Sequence, residues 1–278
     1  MKFELKDPMQ YGKARGIMLS QKYLPRLSPF KNNHVVSSIE EWDDIKENYG
    51  DYISHRVDMP IGNASKNAVG GTNGFTESIP ELIHKVNANN PEGVVLILEN
   101  KEGGIPRYEN DGAFCVLFNM HENVIIELVG KGFDAHELTQ GIACHERYSI
   151  PWEYILFIRN RKDIIKNRDV YKGKVNPQEY QKQRQERIAF LTDVCGYTNS
   201  DTIEREVPET YHLLEDEIFQ SLLDDIILEL MKQQSSLMND GLKRFTVQGN
   251  IARGKLQVWE MFRPDRWKTI DFKDDLDR

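Results

Sequence analysis

The chain has 278 residues, 39% of them apolar and 10% aromatic, which is enough to build a core in one large domain or two coupled subdomains. Its 36 basic and 44 acidic side chains leave a formal charge of −8, so the mean field repels phosphate backbones and nucleic acid is a poor default partner. No run reaches the roughly 20 apolar residues that cross a bilayer, and the segment Met1 to Asp7 lacks the apolar centre of a signal peptide. A cytoplasmic chain with no membrane partner is expected.

Taken in chain order, Ser38 with Glu41 reads as a capping box ahead of Trp42, Ile45 and Tyr49, with Gly50 as the stop. A strand is predicted over 52–57. Residues 61–76 carry Gly62, Gly70, Gly71 and Gly74 without an apolar period and read as a mobile loop. Gly70, Gly71, Thr72, Asn73 and Gly74 have the composition of an anion cradle, yet the Walker lysine and the dinucleotide fingerprint are missing, and an ordinary surface loop is the plainer reading. Ser78 with Glu81 repeats the capping box.

The run 93–98 is apolar at each position from Val94 to Leu98, as in a central strand covered on both faces. A flexible loop is predicted over 100–111. Strands at 113–118 and 123–129 then form an antiparallel hairpin across polar Asn119, His121, Glu122 and Asn123. His145, Glu146, Arg147 and Tyr148 read as a substrate-facing turn or as ordinary surface polarity, and 154–158 as a strand. Residues 159–174 hold seven basic side chains against two aspartates, suited to phosphate contacts or to a solvated loop.

Asn176 and Pro177 open a helix that Gly196 closes. The longest helix is predicted over 208–240, where Leu214, Ile218, Leu222, Ile226 and Leu230 form one apolar stripe. Strands at 245–251 and 255–262 precede an acidic tail, 271–278, expected to fray. Cys115, Cys144 and Cys195 are too few and too scattered for a disulfide framework or a thiolate zinc site, and read as reduced core residues.

Glu127 ends the apolar run Val124-Ile125-Ile126. A carboxylate there needs a metal or an arginine to offset desolvation, unless it faces solvent at the strand end. By strict alternation Glu260 shares a face with Leu256, Val258 and Phe262. Arg56 and Asp58 share a face of their strand, which suits a phosphate clamp or a simple ion pair. His121, His136 and His145 show no His-x-x-x-His spacing, and no Cys-x-x-Cys or Gly-x-Ser-x-Gly motif occurs, which argues against zinc and serine hydrolases.

The order of these pieces resembles the ATP-grasp fold, in particular the nucleotide-binding domain of the pyruvate phosphate dikinase and phosphoenolpyruvate synthase group. The resemblance runs through Gly12-Lys13-Ala14, His55-Arg56-Val57-Asp58, the strand Gly93 to Glu99, Gly112 to Phe118, Ile126-Glu127-Leu128-Val129-Gly130, and Leu138-Thr139-Gln140-Gly141. It ends in the pair Phe245 to Gln248 and Gly254 to Pro264.

It implies an α+β chain whose two subdomains, 1–99 and 100–278, enclose a cleft with mainly antiparallel sheets. It further implies ATP and Mg²⁺ as cofactors and a ligase or phosphotransferase acting on a small-molecule or carboxylate acceptor. Lys13 and Arg56 would neutralise the β- and γ-phosphates, with Arg263 beside them as a third catalytic cation. Ile97, Leu98 and Glu99 would lead into the adenine hinge, and Glu127, Gln248 and Glu260 would face the metal. The family has an acid where Gln248 stands and a glutamine where Glu260 stands, so these two positions look exchanged. A non-catalytic binding or assembly module is therefore the second reading, and a nucleic-acid-associated protein using 159–174 the third.

Overall fold

The computed structural model describes residues 11–60, 73–100, 110–133, 135, 138, 143–156, 158–172, 177–194, 196, 198–200, 203 and 216–262. The chain is α+β with mainly antiparallel sheets. It divides into two compact units, Met1–Ile105 with Trp259–Phe262, and Pro106–Val258 with Arg263–Arg278. Among the described residues no helix is long and apolar enough to cross a membrane.

In the first unit the elements are α1 (Gly12–Tyr23), β1 (Phe30–Val36), α2 (Ile39–Ile45), β2 (Tyr52–Asp58), β3 (Asn73–Phe75), α3 (Ile79–Asn89) and β4 (Val94–Asn100). The four strands pair antiparallel in the order β1-β4-β2-β3. Because β4 has a neighbour on each edge, its side chains must fill two cores, and the unbroken apolar run supplies both. Val95 and Ile97 pack with Trp42 and Ile45 of α2 and with Ile83 and Val86 of α3. Val94, Leu96 and Leu98 pack on the opposite face with Ala14 and Ile17 of α1, Phe30 and Trp259.

The capping box at α2 forms with a shift. Ser38 Oγ accepts from the Glu41 N–H at 3.2 Å, while the Glu41 carboxylate reaches one residue further back, to Ser37 N at 2.6 Å and Ser37 Oγ at 2.9 Å. The second box does not form. Ser78 has helical φ/ψ at the end of a 3₁₀ turn, Thr76–Ser78, and its side chain makes no cap bond to α3; Pro80 in the first turn leaves one fewer donor to satisfy.

The second unit holds β5 (Asn110–Asn119), β6 (Asn123–Gly130), β7 (Glu146–Pro151), α4 (Trp152–Leu156), α5 (Ile158–Lys166) and α6 (Pro177–Asp193). After these come α7 (Asp216–Ser221), a π-helical stretch Leu222–Leu228, α8 (Glu229–Lys232), α9 (Gln234–Asn239), β8 (Arg244–Ala252) and β9 (Lys255–Phe262), whose last four residues count with the first unit. The five-stranded sheet runs β7-β6-β5-β8-β9. The predicted hairpin is β5–β6, closed at Asn119↔Asn123 with His121 at φ 73. One face carries Phe118 stacked on Phe245 at 4.7 Å and Tyr148 against Phe219 of α7. The other carries Ala113, Cys115 and Val129, covered by Phe133, Leu138 and Leu191 of α6.

Several expectations are corrected. Residues 154–156 and 158 are helical, in α4 and α5: Pro151 ends β7, and Trp152 and Ile155 are then buried at helical spacing while Tyr154 is exposed. His145 to Tyr148 is no surface turn: Glu146 opens β7, with Glu146, Tyr148 and Ile150 buried in strict alternation. The basic segment is α5 followed by a 3₁₀ turn, Arg168–Tyr171, not a loop. The helix over 208–240 is described only from Asp216, and there it is four successive helical pieces. Asn73–Phe75, inside the predicted loop, is edge strand β3; residues 61–72, which include Gly70, Gly71 and Thr72, lie outside the described residues. So do residues 101–109 of the second predicted loop, His136, Cys195 and the acidic tail.

Candidate phosphate-binding site

In the first unit the predicted residues gather on the face of the sheet that α1 covers. The Tyr11↔Pro60 bridge and the bond from Gly12 N–H to the Met59 carbonyl, 3.3 Å, hold the start of α1 beside the end of β2. Asp58 completes the junction. Its carboxylate accepts from Ala14 N–H at 2.8 Å and from Met59 N–H at 2.9 Å, satisfying a helix donor and placing negative charge at the positive end of the helix dipole. Of the two readings open for Arg56 and Asp58, neither an ion pair nor a clamp uses this carboxylate; it is spent on the backbone.

Lys13 and Arg56 flank that junction. Lys13 Nζ lies 3.4 Å from the Val57 carbonyl. Arg56 Nη1 donates to its neighbour's carbonyl, His55 O, at 2.8 Å, and its guanidinium lies over the Trp259 ring, 5.9 Å from the centroid. Burial holds the Arg56 pKa below its ordinary value, and nearby Glu260 acts in the opposite direction. Gly16 on α1 makes this proximity possible, since a Cβ there would stand 3.0 Å from the Met261 carbonyl and 3.2 Å from Glu260 Cβ. Lys13, Arg56 and Glu260 are thus brought together within one unit.

Ile97 and Leu98 lie in β4. They sit in mid-strand, paired to β1 on one edge and β2 on the other, with side chains in the two cores; Glu99, half-buried, pairs with Asn32 of β1. Arg263 lies outside the described residues.

The remaining candidates belong to the second unit. Across the sheet, Arg147 pairs in register with Glu127, Glu127 with Cys115, and Cys115 with Gln248. All four therefore share one face, with Glu127 and Gln248 two strand spacings, roughly 10 Å, apart. Glu127 is 7% exposed, and Arg147 Nε stands 3.4 Å from its Oε1. Of the partners open for this desolvated carboxylate, a metal or an arginine, the structure supplies the arginine.

Mg²⁺ takes octahedral oxygen ligands at about 2.0–2.1 Å, with one or two carboxylates beside phosphate oxygens. Glu127 held by Arg147 and a neutral Gln248 across Cys115 do not make such a set. Among the described residues no group of three or more His, Cys, Asp or Glu could hold a metal ion.

Two further buried polar centres lie in this unit. His145 Nδ1 accepts from Gly130 N–H at 2.9 Å, so its proton sits on Nε2, 3.2 Å from Gln183 Oε1 of α6; burial lowers its pKa to about 4 against the opposing bond to Gln183. Glu146 accepts from Tyr148 Oη at 2.8 Å, has Lys172 Nζ at 4.0 Å, and is pushed up in pKa by burial. Burial also pushes the Cys144 thiol up to about 12, which leaves it protonated and unreactive at neutral pH. Cys115 is buried, and neither cysteine is in a disulfide.

Sequence reasoning missed Trp259 as the platform under Arg56. The alternation that places Glu260 with Leu256 and Val258 sets Trp259 on the opposite side of β9, and nothing local shows what it meets. No family model matches the chain, and no curated protein matches it in sequence.

Proposed function

We propose that the chain is a nucleotide-binding protein of ATP-grasp type, with Lys13 and Arg56 taking the phosphates of ATP. The observation that carries this reading is the meeting of Lys13, Arg56 and Glu260 on one sheet face of the first unit, from positions up to 247 residues apart in sequence (260 − 13). A guanidinium at the end of β2 and an ammonium at the start of the adjoining helix α1 are residue types suited to the oxygens of a phosphate chain. In the ligase or phosphotransferase form of this proposal, Mg²⁺ and a carboxylate acceptor complete the reaction. The pairing of Glu127 with Arg147 and the neutral Gln248 favour the second form, nucleotide binding without transfer.

Thermal unfolding with millimolar ATP, with and without Mg²⁺, tests both. A site filled to 100 times its Kd adds about 2.7 kcal/mol, and Lys13→Ala and Arg56→Ala are each expected to remove that gain. No stabilisation of the native chain by ATP overturns the proposal. ATP turnover that requires Mg²⁺ and is lost in Lys13→Ala selects the enzymatic form over the binding form.

A further inference from the structure

We infer that Trp259 is a positioning residue for a phosphate oxyanion: its indole face sets the Arg56 guanidinium, and the oxyanion is bound through that guanidinium. This rests on the phosphate-binding reading above and adds to it a residue that no motif assigned.

Among the described residues the one hydrogen bond of Arg56 runs to the carbonyl of its own neighbour, His55, and no carboxylate lies within 4.0 Å of it. Asp58, on the same face of β2, is committed to Ala14 and Met59. A half-buried guanidinium with five N–H donors and one bond to the protein has donors to spare, and a planar fork of that kind matches a tetrahedral oxyanion in two-point contact. Lys13 Nζ lies 3.4 Å from the Val57 carbonyl, two residues along β2 from the carbonyl that Arg56 meets.

What fixes the fork is the indole. Trp259 packs edge-on against Phe30, centroids 6.1 Å apart, and offers its face to Arg56. Tryptophan is the strongest aromatic partner for a cation, and the stack restricts the guanidinium plane without consuming its donors. The indole Nε1–H, in contrast, is buried with no hydrogen-bond partner. An orphaned donor weakens the fold, so a phenylalanine would pack at this place at lower cost. The ring's use therefore lies in its face, which makes opposite demands on stability and on binding.

That opposition is the test. In the full chain, Trp259→Phe is expected to leave the thermal midpoint unchanged or higher and to weaken tripolyphosphate binding about 3-fold by calorimetry; Trp259→Leu should weaken it about 10-fold. Combining Trp259→Leu with Arg56→Lys should add nothing beyond Arg56→Lys alone, because the indole acts through the guanidinium. Additive losses, or unchanged affinity in Trp259→Phe, overturn the inference.

Should the variants fail to fold, the native chain still answers. With its four tryptophans ¹⁵N-labelled, one indole N–H resonance should move on adding tripolyphosphate, and the absence of any shift counts against the inference. If tripolyphosphate binds with this Trp259 dependence and ATP does not, the ATP reading fails and the inference stands. If ATP binding needs Arg56 and ignores Trp259, the reverse holds.

Discussion

Replacing Asp58 by alanine separates a backbone role for this carboxylate from an electrostatic one. Asp58 is 3% exposed, so water cannot reach the N–H groups of Ala14 and Met59 that it now serves at 2.8 and 2.9 Å. Hydrogen bonds to a charged group contribute about 1.5–3 kcal/mol each, and removing a helix cap costs about 1–2 kcal/mol. The two overlap at Ala14, which puts Asp58→Ala at about 3 kcal/mol of destabilisation. For a chain of this size that is a midpoint shift of about 6–12 °C. Asp58→Asn keeps one oxygen for one of the two N–H groups but sets an NH₂ group against the other, so it should cost about 2 kcal/mol, less than alanine. Urea unfolding followed by far-UV circular dichroism measures both. Equal losses in the two variants would refute the capping argument, because an ion pair to Arg56 depends on charge and a cap depends on the acceptor.

Three other outcomes follow from the same geometry. His145 is held neutral with a folded pKa of about 4 against about 6.5 when unfolded, so the unfolded chain binds the extra proton as pH falls and stability drops between about pH 6.5 and 4. Between pH 7 and pH 5 this one group should contribute about 2 kcal/mol of loss, which His145→Gln removes; identical pH profiles for native and variant chains in denaturant titrations count against it. Arg147→Ala should cost about 2 kcal/mol by weakening the hold on the buried Glu127 carboxylate, and Glu127→Gln in that background should recover most of it; a double-mutant cycle with no coupling contradicts the pairing. Gly249→Ala places a Cβ 2.0 Å from the Gln257 carbonyl and 2.6 Å from the Phe114 ring, so a loss of at least about 3 kcal/mol or an insoluble product is expected, while Gly50→Ala, with nothing within 4 Å, should be neutral by thermal unfolding.

What could be read from the sequence was what local chemistry decides. The β5–β6 hairpin declared itself through polar residues between two apolar runs, β4 through an unbroken apolar run, and α6 through Pro177 at its first position. Strands whose partners lie far away were hidden. In β1, Lys31, Asn32, Asn33 and His34 are polar because the strand is an edge, paired to β4 alone and shifted in register near Phe30. In β7, Glu146 and Arg147 mask an alternation that only Tyr148 and Ile150 reveal. The run 154–158 misled for the converse reason, since its β propensity is real and its tertiary setting overrides it.

The candidate residues divide along the same line. Glu127 could be picked out because a carboxylate after three apolar residues is a local anomaly, but its partner was set by the register of β6 against β7, which juxtaposes Arg147 from 20 positions on. Arg56 and Asp58 could be placed on one face by parity, yet parity is silent on allegiance, and the carboxylate went to the α1 backbone 44 residues earlier. That allegiance decides the electrostatics. A carboxylate bonded to two N–H groups at a helix start is turned to the backbone, so the adjacent guanidinium meets the His55 carbonyl and the Trp259 ring instead. On the other unit's sheet the opposite commitment is made, where the arginine takes the carboxylate and leaves a neutral amide across the row.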